Sequence, residues 1–246
     1  MAGSLKVGVL GSRGRMGAEV CRAVEDTPGM ELVAAVDTGD DREQLSEAQV
    51  VVDFTTPDAV MNNIAWCIDA GLHVVVGTTG FDNERLDQVR ATLTDAPSLG
   101  VLVAPNFGIG AVLMMRFAAS AAPYFESVEI IELHHAGKID APSGTARRTA
   151  ELVSRAREGK PSPDVTSQEI SGARGASVSG VRIHSVRLEG LVAHQEVLLG
   201  GHGEALTIRH DSLARESFMP GVLLGVRWVT EHPGLTVGLE AALGLD

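Results

Sequence analysis

The stretch KVGVLGSRGRMGAEV, residues 6–20, sets Gly11, Gly14 and Gly17 between a short apolar run and a helical pattern. The run KVGVL reads as a strand buried on both faces, where apolar residues need not alternate. From Arg15 to about Asp26, Met16, Val20 and Val24 recur four apart, which is one stripe of a helix. A GxxGxxG spelling departs from the commoner GxGxxG, and alone it could be an ordinary tight turn. Its setting says more. Between strand and helix, glycines let the backbone approach a pyrophosphate, and the free N–H groups of the new helix face the phosphate oxygens. Asp37 lies at the end of the next apolar run, ELVAAVD, 20 residues past Gly17. A carboxylate there can accept bonds from a ribose diol, so the reading is a dinucleotide site. Arg13 and Arg15 could also receive the 2′-phosphate of NADP, so use of both NADH and NADPH is the hypothesis.

Outward from this turn the alternation continues. Apolar runs recur at 49–54, 73–77 and 101–105. Thr56-Pro57-Asp58 reads as a helix start, with a cap, a proline in the first turn and an acid near the positive end of the dipole. Another helix is expected from Asp82 to about Leu93. Successive βα units of this length imply a Rossmann-type, doubly wound parallel sheet. GTTG (77–80) and APNF (104–107) each follow a strand at its carboxyl end, the edge where such sheets bind ligands. Gly77 and Thr79 could touch a nicotinamide ribose, and the backbone around Pro105 and Asn106 its carboxamide; both segments could equally be plain turns.

After Asn106 the texture changes. The small-residue helix GIGAVLMMRFAASAAPYF leads into a strand, VEIIELHH, and then into a helix from Ser143 to about Arg157. A Gly-, Pro- and Ser-rich stretch at 160–180 is long enough to be either mobile or functional. Three strand-like runs follow, VRIHSVRL, VAHQEVLL and EALTIRH, with GGHGE as a hairpin turn between the last two. A final helix at about 213–231 and the run LTVGLE resemble the opening domain. The expectation is therefore an α/β chain of two domains: 1–108 with 218–246 for the dinucleotide, and 109–217, an α+β domain with a mainly antiparallel sheet, for substrate and oligomerisation.

Composition narrows the partners. Net charge is −12, from 20 Lys and Arg against 32 Asp and Glu, which disfavours nucleic acid and anionic membrane surfaces. The best apolar run, VLVAPNFGIGAVLMM, is broken by Pro105 and Asn106 and falls short of the ~18 residues of a membrane span. The start MAGSLKVGVLG lacks a signal-peptide layout. Cys21 and Cys67 read as separate core residues rather than a disulfide or metal pair. A cytoplasmic address is expected.

HHAGKIDAPSGTA, residues 134–146, gathers two histidines, a lysine and a Ser-Gly-Thr helix start. Strand alternation sends His134 and His135 to opposite faces unless the strand ends there. No metal is expected, because no third ligand stands at zinc spacing. Lys138 supplies positive charge, Asp140 and Pro142 set a turn, and Ser143, Gly144 and Thr145 open a helix whose unpaired N–H groups favour a carboxylate. This suits a small, strongly anionic substrate. A histidine beside its carboxylates could deliver a proton near neutrality.

ELHHAGKIDAPSGTA resembles the signature of the 4-hydroxy-tetrahydrodipicolinate reductases, also called dihydrodipicolinate reductases, of bacterial lysine and diaminopimelate synthesis. GSRGRMG, DFTTPDA, GTTGF, APNF, GARG, LVAHQEVLLG, TIRHDS and FMPGVLLGVRWV follow in the family's order, and the actinobacterial branch is nearest. The resemblance implies NADH or NADPH bound by Gly11, Ser12, Arg13, Gly14, Arg15 and Met16, with Asp37 on the ribose. It places Gly77, Thr78 and Thr79 with Ala104, Pro105, Asn106 and Phe107 around the nicotinamide. It implies a dicarboxylate substrate held by His135, Lys138, Ser143, Gly144 and Thr145, with His134 as general acid and Lys138 as a catalytic lysine. The reaction it implies is loss of the 4-hydroxyl as water and hydride transfer to ring C4, with a proton reaching C3 and the histidine-bearing domain closing over the nucleotide. A homotetramer formed through the second-domain sheets is implied too. Two other classes share parts of the pattern. A semialdehyde or sugar dehydrogenase would have no reason for the combined HHxxK and SGT, and a non-catalytic dinucleotide sensor would need no proton donor.

Overall fold

The structure is a computed structural model that describes residues 3–245. The chain divides into two compact units, one of residues up to Ile109 together with those from Phe218 onward, the other Gly110–Ser217.

The first unit is built on a six-stranded sheet of order β11-β5-β4-β3-β1-β2. Its strands are β1 (Leu5–Leu10), β2 (Met30–Val36), β3 (Val50–Asp53), β4 (His73–Val76), β5 (Gly100–Val103) and β11 (Gly234–Val237), paired in parallel throughout. Valine dominates because both faces are covered: Val7, Val9, Val50, Val51, Val52, Val74, Val75, Val76 and Val101 have no exposed surface. Each such side chain contributes about 1.5–3 kcal/mol of burial. Helix α1 (Arg15–Glu25) lies beside α6 (Met219–Glu231), and α2 (Val60–Asp69) beside α3 (Asn83–Leu93). Val51, Val74 and Val103 share one cluster with Ile64, Cys67, Val89 and Leu93, so the α2–α3 pair closes one face. The chain runs from β1 outward to β2 and then returns to place β3 on the other side of β1. That reversal, at the carboxyl ends of β1 and β3, opens a crevice where ligands bind in such sheets.

Three boundaries differ from expectation. The helix anticipated at Thr56-Pro57-Asp58 begins as a turn: the Thr56 carbonyl accepts from Ala59 and Val60 N–H, both at 3.1 Å, and α2 proper starts at Val60 with no side-chain cap. The last helix, anticipated from about 213, starts at Met219 after a 3₁₀ turn at Arg215–Phe218, with Pro220 in its first turn. The closing strand is Gly234–Val237, ending where Gly238 takes a positive φ.

The second unit carries a five-stranded sheet of order β10-β9-β6-β8-β7. These are β6 (Ser127–His134), β7 (Ala176–Val178), β8 (Val181–Arg187), β9 (Ala193–Gly201) and β10 (Glu204–Ser212). All neighbours run antiparallel except β6 and β8. That parallel pair needs a crossover, which α5 (Gly144–Ala156) provides, packing on both strands. The long helix α4 (Ile109–Ala121) precedes β6. Along β6, Val128, Ile130 and Glu132 are wholly buried on alternate positions, in a core that also holds Ala146, Ala150, Val153, Ile183 and Val197. The stretch 160–180 is anchored: Ser162 Oγ accepts Val128 N–H at 2.8 Å, Arg174 pairs with Glu129 and Asp164, and residues 176–178 form β7.

Candidate active site

In the first unit the glycine turn packs closely on its neighbours. Gly11 has φ +80°, and a Cβ there would fall 2.6 Å from the Phe54 carbonyl oxygen. A Cβ on Gly17 would fall 2.0 Å from the Gly11 carbonyl oxygen, so helix and turn touch backbone to backbone. Gly14, the N-cap of α1, brings no side-chain acceptor to the first-turn N–H groups. A cavity of about 550 Å³ opens here, lined by Gly11, Gly14, Asp37, Thr38, Asp40 and Asn63 among others. Asp37 accepts the N–H of Thr38 and of Arg13, each at 2.7 Å, and these two bonds hold its carboxyl below the ordinary value. The Arg13 guanidinium turns to Asp40, at 3.0 Å, and to the Thr38 carbonyl, at 3.1 Å. Ser12 and Met16 are half-buried, and Arg15 is exposed. A glycine cradle, open helix N–H groups and a carboxylate in one cavity fit a dinucleotide.

Three of the remaining nucleotide candidates, Gly77, Thr78 and Phe107, pack against two groups that sequence reasoning missed. Asp53, at the end of β3, is fully buried and accepts from Thr55 N–H (2.8 Å), Thr55 Oγ1 (2.7 Å), Asn63 Nδ2 (2.8 Å) and Thr78 Oγ1 (3.0 Å). The Thr78 side chain is therefore committed to the scaffold, while its neighbour Thr79 is exposed. Phe54 fills the space beside Gly77, where a Cβ would fall 2.1 Å from the ring, and its centroid lies 5.8 Å from that of Phe107. Ala104 and Phe107 are buried, Pro105 is exposed, and Asn106 Oδ1 accepts Gly108 N–H at 2.7 Å. An acid ending a wholly apolar strand was the available signal for Asp53.

In the second unit β6 ends at His134, so His134 stays on the side of Glu132 and His135 is exposed beyond the strand. His134 Nδ1 lies 2.5 Å from Glu132 Oε2. Glu132 also takes both Arg187 nitrogens, Nη1 on Oε2 and Nη2 on Oε1, each at 2.9 Å, and Ser143 N–H at 3.3 Å. Burial pushes its carboxyl up, but bonds from His134, Arg187 and Ser185 outweigh that and bring it down to about 2. Ser143 caps α5, its Oγ accepting Ala146 N–H at 3.2 Å; Gly144 is exposed and Thr145 half-buried in the first turn. Lys138 Nζ donates to Asp140 Oδ1 at 2.6 Å, and Arg187 Nη2 donates to the Asp140 carbonyl at 2.6 Å. Glu132 and Arg187 thus link the histidine, the lysine-bearing turn and the helix start. Neither was singled out from sequence, although a glutamate at an apolar position of VEIIELHH was a signal. Among the described residues no group of three or more His, Cys, Asp or Glu is placed to hold a metal ion. Among them, too, no helix is long and apolar enough to cross a membrane.

Comparison with known proteins agrees along the whole chain. The family described as dihydrodipicolinate reductase, N-terminus, matches residues 5–107, and its C-terminus counterpart matches 110–243. Relatives named 4-hydroxy-tetrahydrodipicolinate reductase are 63% identical in Thermobifida fusca, 61% in Nocardia farcinica and 60% in Cutibacterium acnes. Each of these matches covers 98% of this chain and 100% of the relative. A solved dihydrodipicolinate reductase from Paenisporosarcina sp. TG-14, with dipicolinate bound, superposes with a TM-score of 0.88 at 42% identity, over 97% of this chain and 99% of that one. GenD2 from gentamicin A biosynthesis, in complex with NAD, shares the fold alone, at 16% identity and a TM-score of 0.65. With both family halves matched in order and relatives near 60% identity from end to end, this chain belongs to the dihydrodipicolinate reductase family.

Proposed function

We propose that this chain reduces 4-hydroxy-tetrahydrodipicolinate to tetrahydrodipicolinate, with loss of water, using NADH or NADPH, in cytoplasmic lysine and diaminopimelate synthesis. The observation that carries the reading is the network at the end of β6, where a histidine, a lysine and an open helix start are tied together by one buried ion pair. The names of the relatives give the reaction.

The turn from Gly11 to Met16 would hold the pyrophosphate, with the first-turn N–H groups of Arg15 and Met16 toward it, and Asp37 the ribose, with Gly77, Thr79, Pro105 and Asn106 toward the nicotinamide. When bound, the reduced nicotinamide supplies a hydride. The second unit does the rest. Lys138, the Ser143 hydroxyl and the first turn of α5 at Gly144 and Thr145 face the substrate carboxylates, where the positive end of the 13-residue α5 adds to the ammonium charge. His135, exposed just past the strand, reaches the same ligand. His134 delivers the proton to the ring carbon beside the reduced one, and Lys138 offsets charge developing on the enamine, an electrostatic role that counts most with water excluded. A homotetramer built on the second-unit sheet fits its half-buried apolar residues Ile131, Leu133 and Leu198.

The test is to mix purified protein with NADH and freshly generated 4-hydroxy-tetrahydrodipicolinate and follow cofactor oxidation. Turnover with this compound and none with semialdehydes or sugars is expected. Turnover restricted to the latter, or nucleotide binding with no turnover of any, would overturn the reading in favour of another dehydrogenase or a sensor.

A further inference from the structure

We propose that Glu132 is a positioning residue that fixes the His134 imidazole in one tautomer, with the proton of its neutral form on Nδ1, so that Nε2 is the nitrogen that gives its proton to substrate. The inference rests on the reading of His134 as proton donor and adds the group that makes it one. Four observations carry it. Glu132 has no exposed surface and sits on the core side of β6, two residues before His134 and on the same face. Its Oε2 lies 2.5 Å from Nδ1. Its other donors are the Arg187 fork, Ser143 N–H and the Ser185 side chain, and the carboxylate they hold is ionised well below neutrality. An ionised carboxylate only accepts, so the imidazole nitrogen against it must donate. The tautomer follows from the partner.

The rest of the network explains why this carboxylate can stay charged in a core. Alone it would be expensive to bury, whereas the two-pronged guanidinium satisfies both oxygens and still leaves Oε2 directed at the imidazole. Arg187 also grips the Asp140 carbonyl, so the segment bearing Lys138 is braced to the same pair. An ion pair serving packing alone would need only the arginine. Here one oxygen is shared between Arg187 and the ring, which turns a packed charge into an orienting one. Proton delivery through Nε2 leaves the ring neutral with its proton on Nδ1, the tautomer that the carboxylate stabilises, so the product state of the transfer is the favoured one.

The experiment has two arms. In the first, nucleotide-free protein labelled with ¹⁵N-histidine is titrated into the alkaline range by NMR, His134 being assigned by its absence in His134→Gln. A protonated-type Nδ1 with a pyridine-type Nε2 is expected; the opposite tautomer, or an even mixture, overturns the proposal whatever the activity. In the second, Glu132→Asp, which keeps the charge but withdraws it by one methylene, should lower kcat roughly 10- to 100-fold with KM and the NADH Kd within about threefold. The same change placed on His134→Gln should lower kcat by less than about twofold further, since the carboxylate acts through the ring. Equal losses in both backgrounds, or a loss confined to KM, overturn the proposal and leave His134 as donor. Unchanged turnover in His134→Gln overturns the donor reading itself. Should Glu132→Asp fail to fold, the tautomer measured in the unaltered protein decides.

Discussion

Lys138 and Asp140 are bound to one another: Nζ of the lysine lies 2.6 Å from Oδ1 of the aspartate, on the turn that leaves β6. The lysine is half-buried, and its bond is the main reason the Asp140 carboxyl titrates below the ordinary value. A dicarboxylate approaching this ammonium must compete with a carboxylate already in place. Asp140→Asn removes the competitor's charge and keeps the backbone carbonyl that Arg187 holds. A partly exposed pair of this kind is worth up to ~1 kcal/mol, so KM for the substrate should fall about 2- to 5-fold with kcat little changed. Steady-state kinetics at constant ionic strength checks this, and a rise in KM would mean that Asp140 orients the lysine instead of masking it.

Two glycines separate shape from chemistry. A Cβ on Gly17 would lie 2.0 Å from the Gly11 carbonyl oxygen, so Gly17→Ala must push the turn off the helix. Overpacking of this kind costs about 1–3 kcal/mol. The expected result is a lower Tm together with at least tenfold weaker NADH binding by titration calorimetry. A Cβ on Gly144 would meet nothing within 4 Å, so Gly144→Ala should leave Tm within a degree or two. Its effect should fall on the substrate KM, because the added methyl stands at the open first turn of α5. A Gly17→Ala protein of ordinary stability and affinity would remove the glycine cradle from the argument.

What the sequence displayed and what it hid divide along contact distance. The glycine turn, the valine-rich strands and the Ser143 cap are local patterns, each legible within a dozen residues. The Glu132–Arg187 pair joins positions 55 apart, and it exists because β6 and β8 lie side by side in parallel. Nothing in VEIIELHH or VRIHSVRL states that pairing. It follows from α5 acting as a crossover, a relation that short runs do not encode. Asp53 was hidden for a similar reason, since its partners Asn63 and Thr78 come from α2 and from the loop after β4. The start of α2 was misplaced because a proline and an acid after a threonine also suit the turn that precedes a helix.

The first-unit cavity predicts a cofactor preference that can be edited. Arg13, which helps hold the Asp37 carboxyl down, is paired at 3.0 Å with Asp40, a carboxylate that a 2′-phosphate must compete with. With Asp37 and Asp40 both on the cavity wall, NADH should bind better than NADPH. Asp40→Asn should release the guanidinium and remove a repelling charge, improving the NADPH Kd severalfold while leaving NADH within about twofold. Arg13→Ala should do the reverse to NADPH. Fluorescence titration with both cofactors measures each ratio, and an unchanged ratio in Asp40→Asn would place the 2′-phosphate away from this pair.

Acid sensitivity should trace to Glu132. Its carboxyl, ordinarily near 4.5, is brought down to about 2 in the folded chain. A group depressed on folding contributes stability that is whole above its unfolded value and is lost as pH falls toward the folded one. The window is therefore from about 4.5 down to about 2, and the contribution at neutral pH is of order a few kcal/mol because the group is fully buried. Asp211, also held to about 2, chiefly by Arg209 with His194, adds to the same slope from a more exposed position. Urea midpoints should hold level from pH 7 to about 5 and then decline. Glu132→Gln should be less stable at neutrality, since an amide cannot accept from every donor that surrounds it. Yet its decline below pH 4.5 should be shallower by up to one proton, or about 1.4 kcal/mol per pH unit. Parallel acid limbs in the two proteins would show that the buried carboxylate is not the group being titrated.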